Sequence, residues 1–340
     1  MSTEEKYDVL ALGAPVIDLF ITVSEEFLND IEGEKAGTLP VSHRTLFDLV
    51  EQSKVEPKII PGGSATNTLK ALSNLGQSCA IVGKAGRDDA ADQYASSLKE
   101  QGIQSILARS DSETAHVLCL VTPDGERTMR SCLAASTEMN VDDLHQDMFE
   151  GIRLLHVEGY SLYNLPVTKK AMLLAKNAGA KISLDLASFE LVHSFHNELH
   201  NFLENSVDIV FCNQFEAKAF TGNEPKEACE HLGRLCEVSV VCMAEHGCWV
   251  HANHELQYCP AYPVGSVDNT GAGDLFSGGF LHGYLEGMDV AECAHYGAVL
   301  GREIVQIYGA EIPIDHWSKL IEKIKNFDRD CRDSQNSSIN

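Results

Sequence analysis

The chain has 340 residues, with 26 Lys+Arg against 50 Asp+Glu, a formal net charge of −24, and 44% hydrophobic and 22% charged residues. That length allows about two domains and a large core, and the composition is ordinary for a soluble globular protein. The acidic balance argues against a nucleic-acid surface and against an anionic membrane, both of which call for clustered Lys and Arg.

The polar segment Met1 to Lys6 leads straight into a strand, Val9–Gly13. No signal peptide, transit peptide or 18-residue apolar span is visible, so the chain reads as cytoplasmic. Downstream, strand-like and helix-like runs alternate: helix Thr66–Leu75, strand Cys79–Val82, helix Ala90–Gln101, strand Leu154–Val157, helix Val167–Asn177, strand Ile182–Leu186. Strand Ile209–Cys212, helix Pro225–Leu235 and strand Val238–Cys242 repeat the pattern. Such alternation predicts an α/β fold with a mostly parallel central sheet covered by helices on both faces. Ligands of such sheets gather at the carboxyl ends of the strands. Asp18, Asn67, Glu158, Asp185, Asn213 and the Asp268 loop follow strand-like runs or adjoin helix starts, where one shared cleft would draw its residues.

Two segments break the alternation. Phe20–Pro61 is long, with a helical portion near Thr45–Gln52, and Thr114–Arg130 reads as a hairpin turning at Pro123-Asp124-Gly125-Glu126. Eleven cysteines show no C-x-x-C spacing, which fits free thiols in a reducing compartment. His193, His196 and His200 have spacings that would put them on one helix face, where solvated histidines are expected rather than a metal site.

The most informative run is Asp268-Asn269-Thr270-Gly271-Ala272-Gly273-Asp274, followed by apolar and small residues at helical spacing. It predicts a glycine-rich turn that opens a helix. A helix N-terminus offers unpaired N–H groups and partial positive charge to an anion. Asp274, directly behind that turn, would repel phosphate, but it can take a proton from an attacking hydroxyl. The pair suggests phosphoryl transfer to an alcohol. The plainer alternative is a Gly-rich first turn that Asp274 helps to cap. G-x-x-x-x-G-K-[ST], H-R-D and D-F-G are all missing, which excludes P-loop enzymes and protein kinases.

Asp268 to Leu281 resembles the C-terminal signature of the PfkB family, which includes ribokinase and adenosine kinase; Asn269 departs from its usual D-T-x-G-A-G-D. Pro61-Gly62-Gly63-Ser64-Ala65-Thr66-Asn67, Asn213-Gln214-Phe215-Glu216 and Asp124-Gly125-Glu126-Arg127 resemble further blocks of that family, in its order. The resemblance implies a ribokinase-like α/β domain over residues 1–327. It places lid segments at about 14–61 and 114–132, a small β-rich lid; the tail 328–340 is polar and without periodicity, and is expected to be disordered. It also implies an ATP- and Mg²⁺-dependent phosphotransferase, in some members with K⁺, that is monomeric or dimeric through the lid. Asp274 matches the general base, and Gly271, Ala272 and Gly273 match the anion hole. Asp18, Gly62, Gly63 and Asn67 match positions that hold the acceptor. Asn213 and Glu216 match the Mg²⁺–phosphate motif, through water at Glu216, and would also form a helix capping box. Ala244 and Gly247 lie in the strand–turn–strand that resembles the nucleotide site. Asp268 and Thr270 match a monovalent cation site.

Two acceptor classes stay open. The Phe20–Pro61 insert resembles adenosine kinase and favours a nucleoside such as adenosine or inosine. Glu158 resembles ribokinase, where the matching carboxylate contacts a hydroxyl of a free sugar such as ribose or fructose. Tyr160 and Phe189 are candidates for an aromatic face against a base. A catalytically inactive binding protein of the same fold is the remaining alternative, and the intact Gly271–Asp274 and Asn213–Glu216 blocks argue against it.

Overall fold

The computed structural model describes residues 6–35 and 37–325. The tail expected to be disordered lies outside the described residues. The chain divides into two compact units, with boundaries at Leu69/Lys70, Gln77/Ser78 and Ile182/Ser183.

The strands of the first unit are β1 (Tyr7–Leu12), β2 (Val16–Thr22), β3 (Thr38–Pro40), β4 (Lys58–Gly62), β5 (Cys79–Gly86), β6 (Ile103–Ser110), β7 (Ala115–Val121), β8 (Arg127–Cys132) and β9 (Ile152–Glu158). They form two sheets. In one, β9-β1-β5-β6 are parallel neighbours, in register through Leu10↔Leu155 and Leu10↔Ala80. Val9, Leu10, Ala11, Leu154 and Leu155 are fully buried. That is the signature of parallel strands covered on both faces, and it is why these runs are continuously apolar. The second sheet has the order β3-β8-β7-β2-β4. The expected hairpin is its β7–β8 pair. Its turn is closed by Thr122 N–H to Glu126 O (3.0 Å) and by Asp124 Oδ1, which accepts from Glu126 N–H (3.1 Å).

The second unit takes β10 (Lys181–Asp185), β11 (Ile209–Asn213), β12 (Val238–Cys242), β13 (Cys248–Ala252) and β14 (Glu255–Cys259) in that order. The first three are parallel, and the last two turn back antiparallel. The histidine triplet does not share a helix. The chain breaks at Phe195, between the helices Phe189–Ser194 and His196–Asn205. His196 and His200 stack on Phe220, and His196 Nε2 sits 3.0 Å from Phe220 O. Phe189 is itself half exposed.

The helix Ala272–Leu285 is buried almost all round, through Leu275, Phe276, Ser277, Gly278, Gly279, Phe280, Leu281 and Gly283. It packs on the helix Val290–Ile304 with almost no side-chain layer between them. A Cβ on Gly279 would lie 2.7 Å from the Tyr296 carbonyl carbon and oxygen, and one on Gly297 would lie 2.7 Å from Phe276 O. A core of Leu275, Leu300, Ile304, Trp317, Leu320 and Ile324 closes beside the pair. We expect Gly279→Ala to lower unfolding stability by ~1–3 kcal/mol, the usual cost of overpacking against atoms that cannot swing away. Urea unfolding checks this, and an unchanged midpoint would show that the two backbones separate freely.

Candidate active site

The first unit holds Asp18, Gly62, Gly63, Asn67, Glu158 and Tyr160; the second holds Asn213, Glu216, Ala244, Gly247, Asp268, Thr270 and Gly271 to Asp274. Each group is ordered by its own hydrogen bonds.

In the first unit, β2 and β4 pair antiparallel, with Val16 opposite Gly62 and Asp18 opposite Ile60. The half-buried Asp18 carboxylate therefore lies across the Gly62 backbone, and a Cβ at Gly62 would sit 2.1 Å from Asp18 Oδ2. Only glycine leaves room for that carboxylate. Asn67 is buried and enters the helix Ser64–Asn74, its N–H bonded to Gly63 O at 3.0 Å.

Glu158, at the end of β9, is 3% exposed. Its Oε1 accepts from Ala14 N–H at 2.8 Å and its Oε2 from Ala65 N–H at 2.9 Å. Ala65 is the second residue of its helix, so this carboxylate also caps a helix N-terminus. Both oxygens thus order backbone between β1 and β2 and at the Gly62–Gly63 turn. Tyr160 follows in a 3₁₀ turn and is 50% exposed.

In the second unit, Asn213 and Glu216 form a complete capping box. Asn213 Oδ1 accepts from Phe215 and Glu216 N–H, at 2.8 and 3.0 Å, and Glu216 Oε2 accepts from Asn213 N–H at 2.8 Å. Glu216 is buried. Burial pushes its carboxyl up to about 7, with Glu190 adding to the rise and the Asn213 N–H opposing it. A cation next to it would favour the charged form. One hard carboxylate with few other protein donors suits Mg²⁺, which keeps most of its waters. Ala244 to His246 form an exposed 3₁₀ turn between β12 and β13, with Met243 N–H bonded to Gly247 O at 2.8 Å.

The turn Asp268–Asp274 is tied at its base. Asp268 is 6% exposed, its Oδ1 accepts from Thr270 N–H (2.9 Å) and Oγ1–H (2.8 Å), and its Oδ2 accepts from Gly309 N–H (2.8 Å). The groups expected at a monovalent cation site are thus joined by direct hydrogen bonds. Gly271 is the helix N-cap at φ +73°, a conformation side chains resist, and a Cβ there would press on Ala310 at 2.8 Å. Gly273 is exposed, and a Cβ there would meet nothing within 4 Å. Asp274, half-buried, occupies the first turn of Ala272–Leu285. The first N–H groups of an α-helix have no intrahelical acceptor, so this end can receive an anion beside a carboxylate.

Asp88 follows β5 and orders two segments at once. Its Oδ1 caps the helix Asp89–Glu100 through Ala91 N–H (3.0 Å), and the same carboxylate accepts from Thr114 N–H and Oγ1–H at 2.8 and 2.5 Å. It fixes where β7 departs. An Asp three residues ahead of Ala91 gave the capping half of this; the Thr114 half is 26 residues away.

The family model of the pfkB family carbohydrate kinases matches residues 42–317. The probable fructokinase-3 of Arabidopsis thaliana is 28% identical over 304 residues, covering 86% of this chain and 81% of its own. Among solved structures, a probable sugar kinase from Rhizobium etli CFN 42 superposes with a TM-score of 0.83 at 28% identity, covering 94% of this chain and 98% of its own. The adenosine kinase from Sinorhizobium meliloti gives the same TM-score and identity, over 94% and 99%. The fold is ribokinase-like α/β, with a large, mostly parallel sheet.

Two substitutions separate structural from ligand-directed roles. Glu158→Ala leaves two buried backbone N–H groups without their acceptor and should cost ~2–4 kcal/mol of stability, whereas Glu158→Gln, which keeps one acceptor oxygen, should cost about half as much. Thermal and urea unfolding read the difference; a fully stable Glu158→Ala would contradict the clamp. Gly273→Ala has open space and an ordinary backbone, so its unfolding midpoint should match wild type while anion binding at the helix start weakens at least about tenfold. A variant that binds ATP normally would show that the ligand does not approach this backbone.

Proposed function

The chain belongs to the pfkB family of carbohydrate kinases, and we propose that within it the protein transfers the γ-phosphate of ATP to a hydroxyl of a ribose-bearing nucleoside. It is a small-molecule kinase for a sugar or a nucleoside. The observation that carries the reading is the helix start at Gly271–Asp274, where an open glycine and a half-buried carboxylate share one turn.

Asp274 takes the proton of the acceptor hydroxyl as its oxygen attacks the γ-phosphorus. The bond to the bridging oxygen breaks, and ADP leaves with that electron pair. The N–H groups of Gly271, Ala272 and Gly273 take up the charge on the transferring group. Glu216 would hold Mg²⁺ through water, and the ion would supply neutralisation of phosphate charge. Asp18, as a carboxylate, can accept hydrogen bonds from two vicinal hydroxyls, which suits a ribose diol. Asn67 can donate and accept beside it. The nucleotide lies along Ala244–Gly247.

The choice of nucleoside rests on Glu158 and Tyr160. The sequence argument for a free sugar was that Glu158 contacts an extra hydroxyl. Both of its oxygens instead accept backbone N–H groups. A structural role thus accounts for the Glu158 carboxylate without an extra sugar hydroxyl, and Tyr160, half exposed, supports an aromatic face against a base. The sugar reading is supported by the 28% identity to a probable fructokinase and to a probable sugar kinase of solved structure.

ADP release over adenosine, inosine, ribose and fructose tests the acceptor. Phosphorylation of the nucleosides is expected, and activity on ribose or fructose alone would overturn the nucleoside assignment. Asp274→Asn should lower kcat at least about a hundredfold with ATP binding retained. Retention of a tenth of the activity would remove Asp274 from the role of base.

A further inference from the structure

Cys242, Cys248 and Cys259 form one row across the end of the second unit's sheet. Cys242 is directly opposite Cys248 in the β12–β13 pair, and Cys248 is directly opposite Cys259 in the β13–β14 pair. Side chains of directly opposed residues leave the same face of a sheet. All three are free thiols, and Cys248 and Cys259 are 2% and 6% exposed. Antiparallel partners have Cα atoms about 4.5–5.5 Å apart, within the range that a disulfide spans without backbone movement. Within the row, each thiol shifts the other: the neighbouring Cys259 pushes the Cys248 thiol up, and the neighbouring Cys248 holds that of Cys259 below the usual range. Cys242 is placed differently: burial, with Asp185 and Glu216 close enough to add to it, holds its thiol protonated.

This pair sits against the turn Ala244–Gly247. A Cβ on Gly247 would meet Cys259 O at 2.2 Å, Ala261 N at 2.9 Å and the Pro260 Cα at 3.0 Å. The backbone that leaves Cys259 therefore lies directly on the turn residue that precedes Cys248. Ala244 and Gly247 themselves hold positive φ, +50° and +80°.

We propose that Cys248 and Cys259 are a redox modification site, a vicinal dithiol that hydrogen peroxide converts to a cross-strand disulfide and that nucleotide at the adjoining turn protects. The chemistry balances. The Cys259 thiolate attacks one peroxide oxygen, the O–O bond breaks, and Cys259 becomes a sulfenic acid while the other oxygen leaves as water after protonation. The Cys248 sulfur then attacks the Cys259 sulfur, the S–O bond breaks, and a second water leaves. Two thiols lose two electrons and two protons, and one peroxide becomes two waters. Cys259 is the site of first attack because it is the more exposed of the two, 6% against 2%, and the neighbouring Cys248 holds its thiol below the usual range, which favours its thiolate. Both thiols are buried, so oxidation requires local opening of the β13–β14 end and the turn. A ligand bound to the closed turn lowers the population of the open form. The protection half of the proposal rests on the assignment of Ala244–Gly247 to the nucleotide.

The test treats the purified full chain with hydrogen peroxide, blocks remaining thiols with an alkylating reagent and maps cross-linked peptides by mass spectrometry. The expected result is a Cys248–Cys259 cross-link that a dithiol reductant reverses and that both Cys259→Ser and Cys259→Ala abolish. Its rate of formation should fall at least fivefold at saturating ATP. Full alkylation of both residues after peroxide, or a cross-link that joins Cys242 instead, overturns the proposal. A cross-link that forms at one rate with and without ATP, in protein shown to bind ATP, overturns the protection. Protein that forms the cross-link but binds no ATP sinks the kinase assignment of this turn and leaves the dithiol site standing.

Discussion

Backbone N–H groups at the ends of strands and the starts of helices have no ladder partner, and burying one without an acceptor costs about as much as a lost hydrogen bond. This chain meets that constraint with carboxylates. Glu158 takes the N–H groups of Ala14 and Ala65, Asp88 those of Ala91 and Thr114, Asp268 those of Thr270 and Gly309, Asp185 that of Ala187, and Glu216 that of Asn213. Each acceptor stands at or just beyond the carboxyl end of a strand or in a connecting loop. Charge-assisted bonds of this kind are roughly twice as strong as neutral ones, so loops that would otherwise wander are fixed. Part of the acidic excess is therefore structural, turned inward onto amides.

The same economy bears on the proposed binding of phosphate. A chain with a net charge of −24 must create any attraction for a polyanion locally. At the Gly271 turn only backbone is available for that: the carboxylate of Asp268 is turned down to Thr270 and Gly309, away from solvent, and the helix begins beside an open Gly273. Glu216 shows the cost of the arrangement, since a buried carboxyl with only amide partners stays near the border of ionisation.

Much of this was legible in the sequence where the signal is local. Val238–Cys242 was placed to the residue, the helix after Gly271 was expected from its turn, and Asn213 with Glu216 announced a capping box three residues wide. The strand after the Ala244–Gly247 turn, β13, was expected from the strand–turn–strand likeness, but β14 was harder, because a five-residue antiparallel strand with mixed polarity carries little periodicity. Phe20–Pro61 hid β3 and β4 for the same reason: their identity lies in pairing with β8 and β2, not in their own residues. Spacing suggested one helix for His193, His196 and His200, and the break at Phe195 carries no Gly or Pro to mark it. Glu158 was read from the sequence as a contact for the acceptor and could not be read as a clamp, since its partners stand 144 and 93 positions away.

The helix that begins at Gly271 has one more property. Helices that slide or rotate past each other do so by repacking side chains between discrete arrangements. Where Gly279 and Gly297 bring backbone onto backbone, there is no layer to repack, and the second arrangement does not exist. The Ala272–Leu285 helix is then an anvil: an inelastic element of the second unit, so that whatever yields in that unit must yield elsewhere.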